Sequence, residues 1–232
     1  MEQKRNSNKI TMGLGLLFFL VILPGGSWYY LQKGLDYQKE LRFELTNYGN
    51  VPAFQLKNTN GQLIDSSLFS GKVAIAGFVT PKILEQPEKM KILSKLYDQF
   101  DKKDQSRIVI FGMNWPTEKL NDFQSLATTY KMDNPEKCFF LTGDTATLQQ
   151  VLNQGFKWPI KNSAPDGKLF SFSNTPKDNN YPYFILVNKN REIINYYDYR
   201  EEARMKTMVE HVAISIPLEK RKKPRLKREQ EK

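Results

Sequence analysis

The sequence predicts an α/β domain, with a central mixed β-sheet flanked by helices, behind one N-terminal transmembrane helix. Two observations support this. An uncharged and mostly apolar run occupies residues 10–31, long enough at about 1.5 Å per residue to cross a bilayer core of about 30 Å. After residue 53, short β-rich runs alternate with segments of helical periodicity, a pattern that favours helices packed on both faces of one sheet.

The composition supports a packed domain and argues against nucleic-acid binding. Hydrophobic residues make up 40% of the 232-residue chain and aromatic residues 12%, enough for a real core. The formal net charge is +10, but much of it belongs to the two ends. Residues 219–232 alone carry far more lysine and arginine than glutamate. The basic residues therefore do not form a nucleic-acid-binding face on the domain.

The N-terminal segment predicts a single-pass anchor in the cell (inner) membrane. A leader, residues 1–9, carries the cations Lys4, Arg5 and Lys9. The anchor, residues 10–31, ends with an aromatic cluster at 28–30, as membrane interfaces favour. The positive-inside rule then places the N-terminus in the cytoplasm and the domain on the periplasmic (extracytoplasmic) side. The alternative is a cleaved signal peptide, with an apolar core at 12–23 and a small-residue site at 25–27.

The rest of the chain divides into a polar stalk (residues 32–47), a domain (48–218) and a basic disordered tail (219–232). Residues 58–62 predict a hairpin turn, and Asp144 or Thr145 can cap a helix. A polar stretch with glycine and proline covers 155–180. The predicted strands are 54–56, 73–79, 107–113, 138–141, 183–188 and 192–199. The predicted helices are 83–100, 117–130, 144–153 and 200–215.

The chain has one cysteine, Cys138, and one histidine, His211. No disulfide can form within the chain, and no Cys/His zinc site can be assembled. Cys138 starts an apolar strand, which favours a buried structural thiol, and His211 is expected to be a helix residue without a catalytic role. One alternative remains open, in which Cys138 acts with a partner's thiol in an oxidoreductase or peroxidase.

Several segments, taken in order, resemble a known family. The family's opening pattern is P-x-F-x-L, then G, then F-x-G-K, and it is resembled by residues 51–56, 60–62 and 69–72. Residues 139–144 are similar to the family's F-L-T-G-D strand end. Residues 181–190 are similar to the segment that carries its cis-proline. The family is the SCO1/SenC branch of the thioredoxin-fold superfamily, which delivers copper. The peroxiredoxin-like TlpA group is also similar. The resemblance implies a thioredoxin-like fold and an extracytoplasmic setting.

The departures from the family concern its ligands. The SCO1/SenC branch has a Cys-x-x-x-Cys motif after the first core strand. With Pro87 as the shared proline, Lys82 and Gln86 occupy the two cysteine positions, and Asn180 stands near the copper histidine's position. Two thiolates and an imidazole suit soft copper, whereas an ammonium and two amides do not. The resemblance thus implies the fold without the activity, and no cofactor is expected.

The remaining candidates are partner-binding residues. In this family the turn at Tyr181 and Pro182 often presents an edge to peptides, and Lys222, Lys223 and Arg225 of the tail could meet anionic headgroups or an acidic partner. The expected function is therefore non-catalytic protein binding, as an accessory factor in respiratory (cytochrome) oxidase assembly. A purely structural subunit of an envelope complex, held by the anchor and the tail, is the second alternative.

Overall fold

The computed structural model describes residues 15–85, 87–100, 104–115, 119–156 and 181–216. The chain divides into two compact units, Met1–Leu45 and Thr46–Lys232, which are described separately. Of the predicted segments, the leader, most of the polar stretch and the basic tail lie outside the described residues.

The N-terminal unit is an apolar helix. A π-helical turn, Phe18–Ile22, leads into α1, Leu23–Phe43. The N–H of Leu23 donates to the carbonyl of Phe18, five residues back. Pro24 is next in the chain and has no N–H for the usual four-residue bond, which accounts for the wider turn.

Among the described residues, one helix, Gly15–Phe43, is long and apolar enough to cross a membrane, and its 18-residue apolar window is wholly exposed. Such a helix near an N-terminus suits either an anchor or a signal sequence. The helix continues to Phe43, so the first part of the predicted stalk, residues 32–43, is helical.

The second unit is built on a mixed sheet, whose strands in the described ranges run in the order β2-β1-β5-β4-β3-β6-β7. The strands are β1 (Gln55–Asn58), β2 (Leu63–Asp65), β3 (Val73–Val79), β4 (Ser106–Gly112), β5 (Cys138–Thr142), β6 (Tyr183–Val187) and β7 (Ile193–Asp198). The helices are α2 (Glu88–Phe100), α3 (Leu120–Thr129), α4 (Thr145–Gln150) and α5 (Glu202–Ser215). The predicted α/β class is confirmed.

Strand directions define the two ends of the sheet. β3, β4 and β5 are parallel, whereas β6 pairs antiparallel with β3 and β7 with β6. The hairpin β1–β2 extends the other edge by pairing antiparallel with β5. The start of β6 therefore lies beside the end of β3.

The helix predicted at 83–100 is shorter than expected. It begins at Glu88, and a separate 3-10 turn, Pro81–Leu84, precedes it. Proline has no N–H and disfavours the helical conformation in the residue ahead of it, so Pro87 separates turn from helix. The helix predicted at 117–130 likewise covers only Leu120–Thr129.

The core is centred on β3, which is buried along its whole length. The rings of Phe78 and Phe111, on neighbouring strands, stack with centroids 4.9 Å apart. Phe54 and Phe156 meet Phe111 edge-on, at 5.6 Å each. Aromatic packing of this kind stabilises the fold beyond the burial of apolar area alone, and it includes Phe78 near the end of β3.

We expect Gly112→Ala to destabilise the domain by about 1–3 kcal/mol, as overpacking does. A Cβ at Gly112 would stand 2.8 Å from Cζ of Phe123, a buried ring with little room to move. Chemical unfolding of the full chain in detergent measures the change. Gly77→Ala is the control, because its nearest contact is 3.4 Å away and its loss should be smaller. Equal losses of stability in the two variants would contradict the close packing of Phe123 against Gly112.

Candidate functional site

The candidate site lies where the sheet opens between β3 and β6. The β3–β6 ladder covers Ala74 to Gly77, and its last pair joins Gly77 to Phe184. Beyond that pair, β3 runs through Thr80 into the 3-10 turn Pro81–Leu84. On the other side, Tyr181 leads into β6. The end of β3 and the start of β6 therefore lie side by side, beyond the last residue pair of the β3–β6 ladder.

Lys89 closes this gap. It is the second residue of α2 and only 2% exposed. Its ammonium donates a hydrogen bond of 2.7 Å to the carbonyl of Phe78 and a second to the carbonyl of Tyr181. One buried cation thus joins the end of β3 to the turn before β6.

Aromatic rings and one ion pair surround the Lys89 ammonium. It stands 5.3 Å from the ring centroid of Phe184 and 5.5 Å from that of Tyr199, positions that favour a cation. Asp198 is the carboxylate that acts on it through space. The Asp198 carboxylate, however, is held by Arg200, whose Nε donates to Oδ1 at 2.8 Å and to Oδ2 at 3.1 Å.

Burial dominates the acid–base behaviour of Lys89. Removal from water lowers its pKa from the ordinary 10.5 to about 7, and the negative charge of Asp198 opposes this only in part. In Arg200, the hydrogen bond to Asp198 raises the guanidinium pKa. The Arg200 guanidinium therefore stays charged, whereas Lys89 can change its charge near neutral pH.

A small cavity of about 20 Å³ is lined in part by Lys89. Thr80, Lys82, Tyr181 and Tyr199 are among the other residues that line it. The Thr80 side chain does not cap the 3-10 turn that follows it. The cavity has room for about one water-sized group.

The structure brings two of the predicted site residues together. Lys82 is exposed on the 3-10 turn, and it lines the same cavity as Tyr181. Tyr181 is only 6% exposed, and burial raises the pKa of its hydroxyl. Pro182 is buried as well, and its carbonyl accepts from the N–H of Tyr199 at 2.9 Å. Outside the described residues lie Gln86, Asn180, Lys222, Lys223 and Arg225.

Cys138 and His211 lie in the packed interior. Cys138 is 6% exposed at the start of β5, and burial raises the pKa of its thiol above the ordinary value. A reactive thiol needs the opposite shift. His211 on α5 is fully buried, with Nδ1 2.6 Å from the hydroxyl of Tyr197. Within the described ranges, no group of His, Cys, Asp and Glu could hold a metal ion.

Sequence reasoning missed Lys89. A signal was present, because Lys89 falls at helical spacing with Leu93, Leu96 and Phe100, all of which are buried in α2. A lysine in the apolar stripe of an amphipathic helix indicates either a break in the pattern or a buried cation. Thr80 was missed too, and nothing in the sequence distinguishes it from a helix-capping threonine.

Solved structures resemble this domain. BsSco, described as a member of the Sco family of cytochrome c oxidase assembly proteins, aligns with a TM-score of 0.54 at 19% identity, over 74% of this chain and 95% of its own. A SCO1/SenC family lipoprotein from Bacillus anthracis gives 0.57 at 15%, over 75% and 98%. This chain has a thioredoxin fold. A putative protein disulfide isomerase from Bacteroides thetaiotaomicron is also similar, at 0.52 and 11%, over 74% and 91%.

No protein-family model matches the chain, and no curated protein matches it. The structural likeness extends both to SCO1/SenC proteins and to thiol-disulfide oxidoreductases of the same fold. With a single cysteine, this chain has no pair of thiols for a Cys-x-x-Cys or Cys-x-x-x-Cys site.

We expect the stability of the domain to rise with pH above about 7 because of Lys89. Its pKa is lower in the folded state, about 7, than the ordinary 10.5, so the unfolded chain binds more protons between these values. From about pH 7 to about pH 9 the gain in unfolding free energy is about 2 kcal/mol. It is lost again as the pH falls. Denaturant titrations at several pH values measure it.

The Lys89→Met variant isolates this contribution. It should lack the rise attributable to residue 89, and Lys91→Met, which removes an exposed lysine of the same helix, should retain it. A wild-type slope identical to that of Lys89→Met would show that Lys89 does not titrate in this range.

We expect the Cys138 thiol to be unreactive in the folded protein. Its burial and raised pKa leave little thiolate, so a thiol reagent should modify it only after denaturation. The rate is followed by absorbance in native buffer and in denaturant. An exposed position on the 3-10 turn provides the control, since Leu84→Cys should react at once. Rapid native labelling of Cys138 in the wild type would revive the oxidoreductase alternative.

Proposed function

We propose that this protein is a membrane-anchored, redox-inactive relative of the SCO1/SenC proteins that acts by binding another protein on the extracytoplasmic side. It performs no thiol or copper chemistry of its own. Its scaffold serves to present a rigid, cationic tip to a partner. The tip consists of the 3-10 turn Pro81–Leu84 and the neighbouring residues Tyr181 and Pro182.

One observation carries the proposal: a cationic cluster stands at the end of β3. By the resemblance described above, Lys82 of this cluster would take the place of the family's first cysteine. Lys82 and Lys89 both line the cavity. Soft copper requires thiolate or similar ligands. An ammonium group has no lone pair to offer and repels a cation, and a neutral lysine amine is not the soft ligand that Cu(I) favours, so this end of the fold is unsuited to the metal.

The exposed part of the tip suits a protein contact. Lys82 is exposed, and Leu84, on the same 3-10 turn, is 44% exposed. The turn before β6 lies beside them and is fixed by Lys89. A fixed surface loses little conformational entropy on binding, which favours recognition.

The partner class is proposed from likeness of fold. BsSco is described as belonging to a family of cytochrome c oxidase assembly proteins, and we propose a respiratory oxidase or one of its assembly factors as the partner here. Oxidase activity in membranes of a deletion strain tests this. Complementation by the wild type but not by Lys82→Glu, which inverts the charge of the tip, is the expected result.

We expect the full chain to form no tight one-to-one complex with Cu(I), because Lys82 supplies a charge where the metal needs a ligand. Competition with a Cu(I)-specific chromogenic chelator measures binding. The matched control restores the family ligands at three positions, Lys82→Cys, Gln86→Cys and Asn180→His, and should withdraw copper from the chelator. Tight Cu(I) binding by the unaltered chain would end the proposal.

A further inference from the structure

The cavity beside Lys89 is positively charged. Two of the described residues that line it are lysines, Lys82 and Lys89, and none of them is acidic. The carboxylate that acts on Lys89, Asp198, is engaged by Arg200. A buried ammonium without a carboxylate of its own is costly, so the cavity favours a negatively charged occupant.

Two hydrogen-bond donors are available to such an occupant. The Lys89 ammonium has three N–H groups, and it gives two of them to the carbonyls of Phe78 and Tyr181. The third is left for the cavity and its rings. Thr80, 7% exposed, lines the cavity, and its side chain does not cap the turn that follows. An ammonium and a hydroxyl together suit an oxygen anion.

The size of the cavity limits what can enter. At about 20 Å³ it admits roughly one oxygen-sized group, as a carboxylate can present on a slender aliphatic stem. Lys82 is exposed and lines the same cavity, so its positive charge would favour the carboxylate through space.

We propose that this cavity receives a carboxylate, and that an Asp or Glu side chain of the partner polypeptide supplies it. The proposal rests on the protein-binding function above and names the chemistry of the contact. The position of Lys82, which corresponds to a thiol in the proposed resemblance, would thereby have become part of a receptor for an acidic side chain.

Binding should depend on pH through Lys89. The groups facing its ammonium are Lys82, Tyr181 and Tyr199 around the cavity, and Asp198, already paired with Arg200. The pKa of Lys89 lies near neutrality, at about 7. Affinity should therefore be highest below about pH 7 and fall above it, while bound carboxylate should raise the pKa of Lys89.

The test is a titration of the full chain in detergent micelles with acetate, followed by NMR of isotope-labelled lysine side chains. At about pH 6, where Lys89 is charged, the Lys89 signal should shift and saturate. N-acetylglutamic acid α-amide should act in the same way, and the matching glutamine compound should not. These compounds distinguish a side-chain carboxylate from a response to the rest of the ligand.

Variants assign the effect to the cavity. Thr80→Val keeps the shape of the side chain and should weaken acetate binding by about fivefold, the loss expected for one hydrogen bond. Lys82→Gln should weaken it too, and Lys91→Met, which alters an exposed lysine of the same helix, should not. The Thr80 and Lys82 variants leave Lys89 unchanged, so the proposal does not depend on a variant that could fail to fold.

The proposal is overturned by an unmoved Lys89 signal, by equal responses to the glutamic acid and glutamine compounds, or by affinities unchanged in both Thr80→Val and Lys82→Gln. These outcomes leave the protein-binding function standing, since that function is decided by Cu(I) competition and oxidase activity. Tight Cu(I) binding, in turn, would overturn the proposed protein-binding function, whatever the result of the acetate titration.

Discussion

The two hydrogen bonds from the Lys89 ammonium determine the geometry of the whole tip. The β3–β6 ladder stops at Gly77 and Phe184, and past it the carbonyls of Phe78 and Tyr181 accept from one cation. Because an unpaired buried carbonyl is costly, the cation and the two strand ends hold one another in place. The cavity, the turn before β6 and the exposed 3-10 turn all depend on that junction.

This junction favours the proposed binding function over thiol or copper chemistry. Thiol chemistry and copper transfer need groups that change partner, and the BsSco structure is described in terms of a disulfide switch. Here the end of β3 is held by a lysine with two backbone acceptors, and the chain has one buried cysteine. A site that does not change its bonds is suited to recognition, in which a fixed shape is an advantage.

The sequence was sufficient for the elements whose signals are local. The apolar run at 73–79 is β3, the turn at 58–62 joins β1 to β2, and Asp144 accepts from the N–H of Thr147 at 2.8 Å to start α4. It was not sufficient for the site. Burial of Lys89 depends on the carbonyl of Tyr181, a partner brought close only by the folded sheet, and helical periodicity alone cannot foresee such an acceptor.

The distance along the chain between Lys89 and Tyr181, 92 residues, has a consequence for how the domain folds. β3, α2 and β4 are consecutive and can associate early, but β6 reaches its place beside β3 only after a long loop closes, which is slow for entropic reasons. Until β6 docks, the Lys89 ammonium remains hydrated on a sheet that lacks this strand. Dehydration of this one cation therefore accompanies the docking of β6 beside β3.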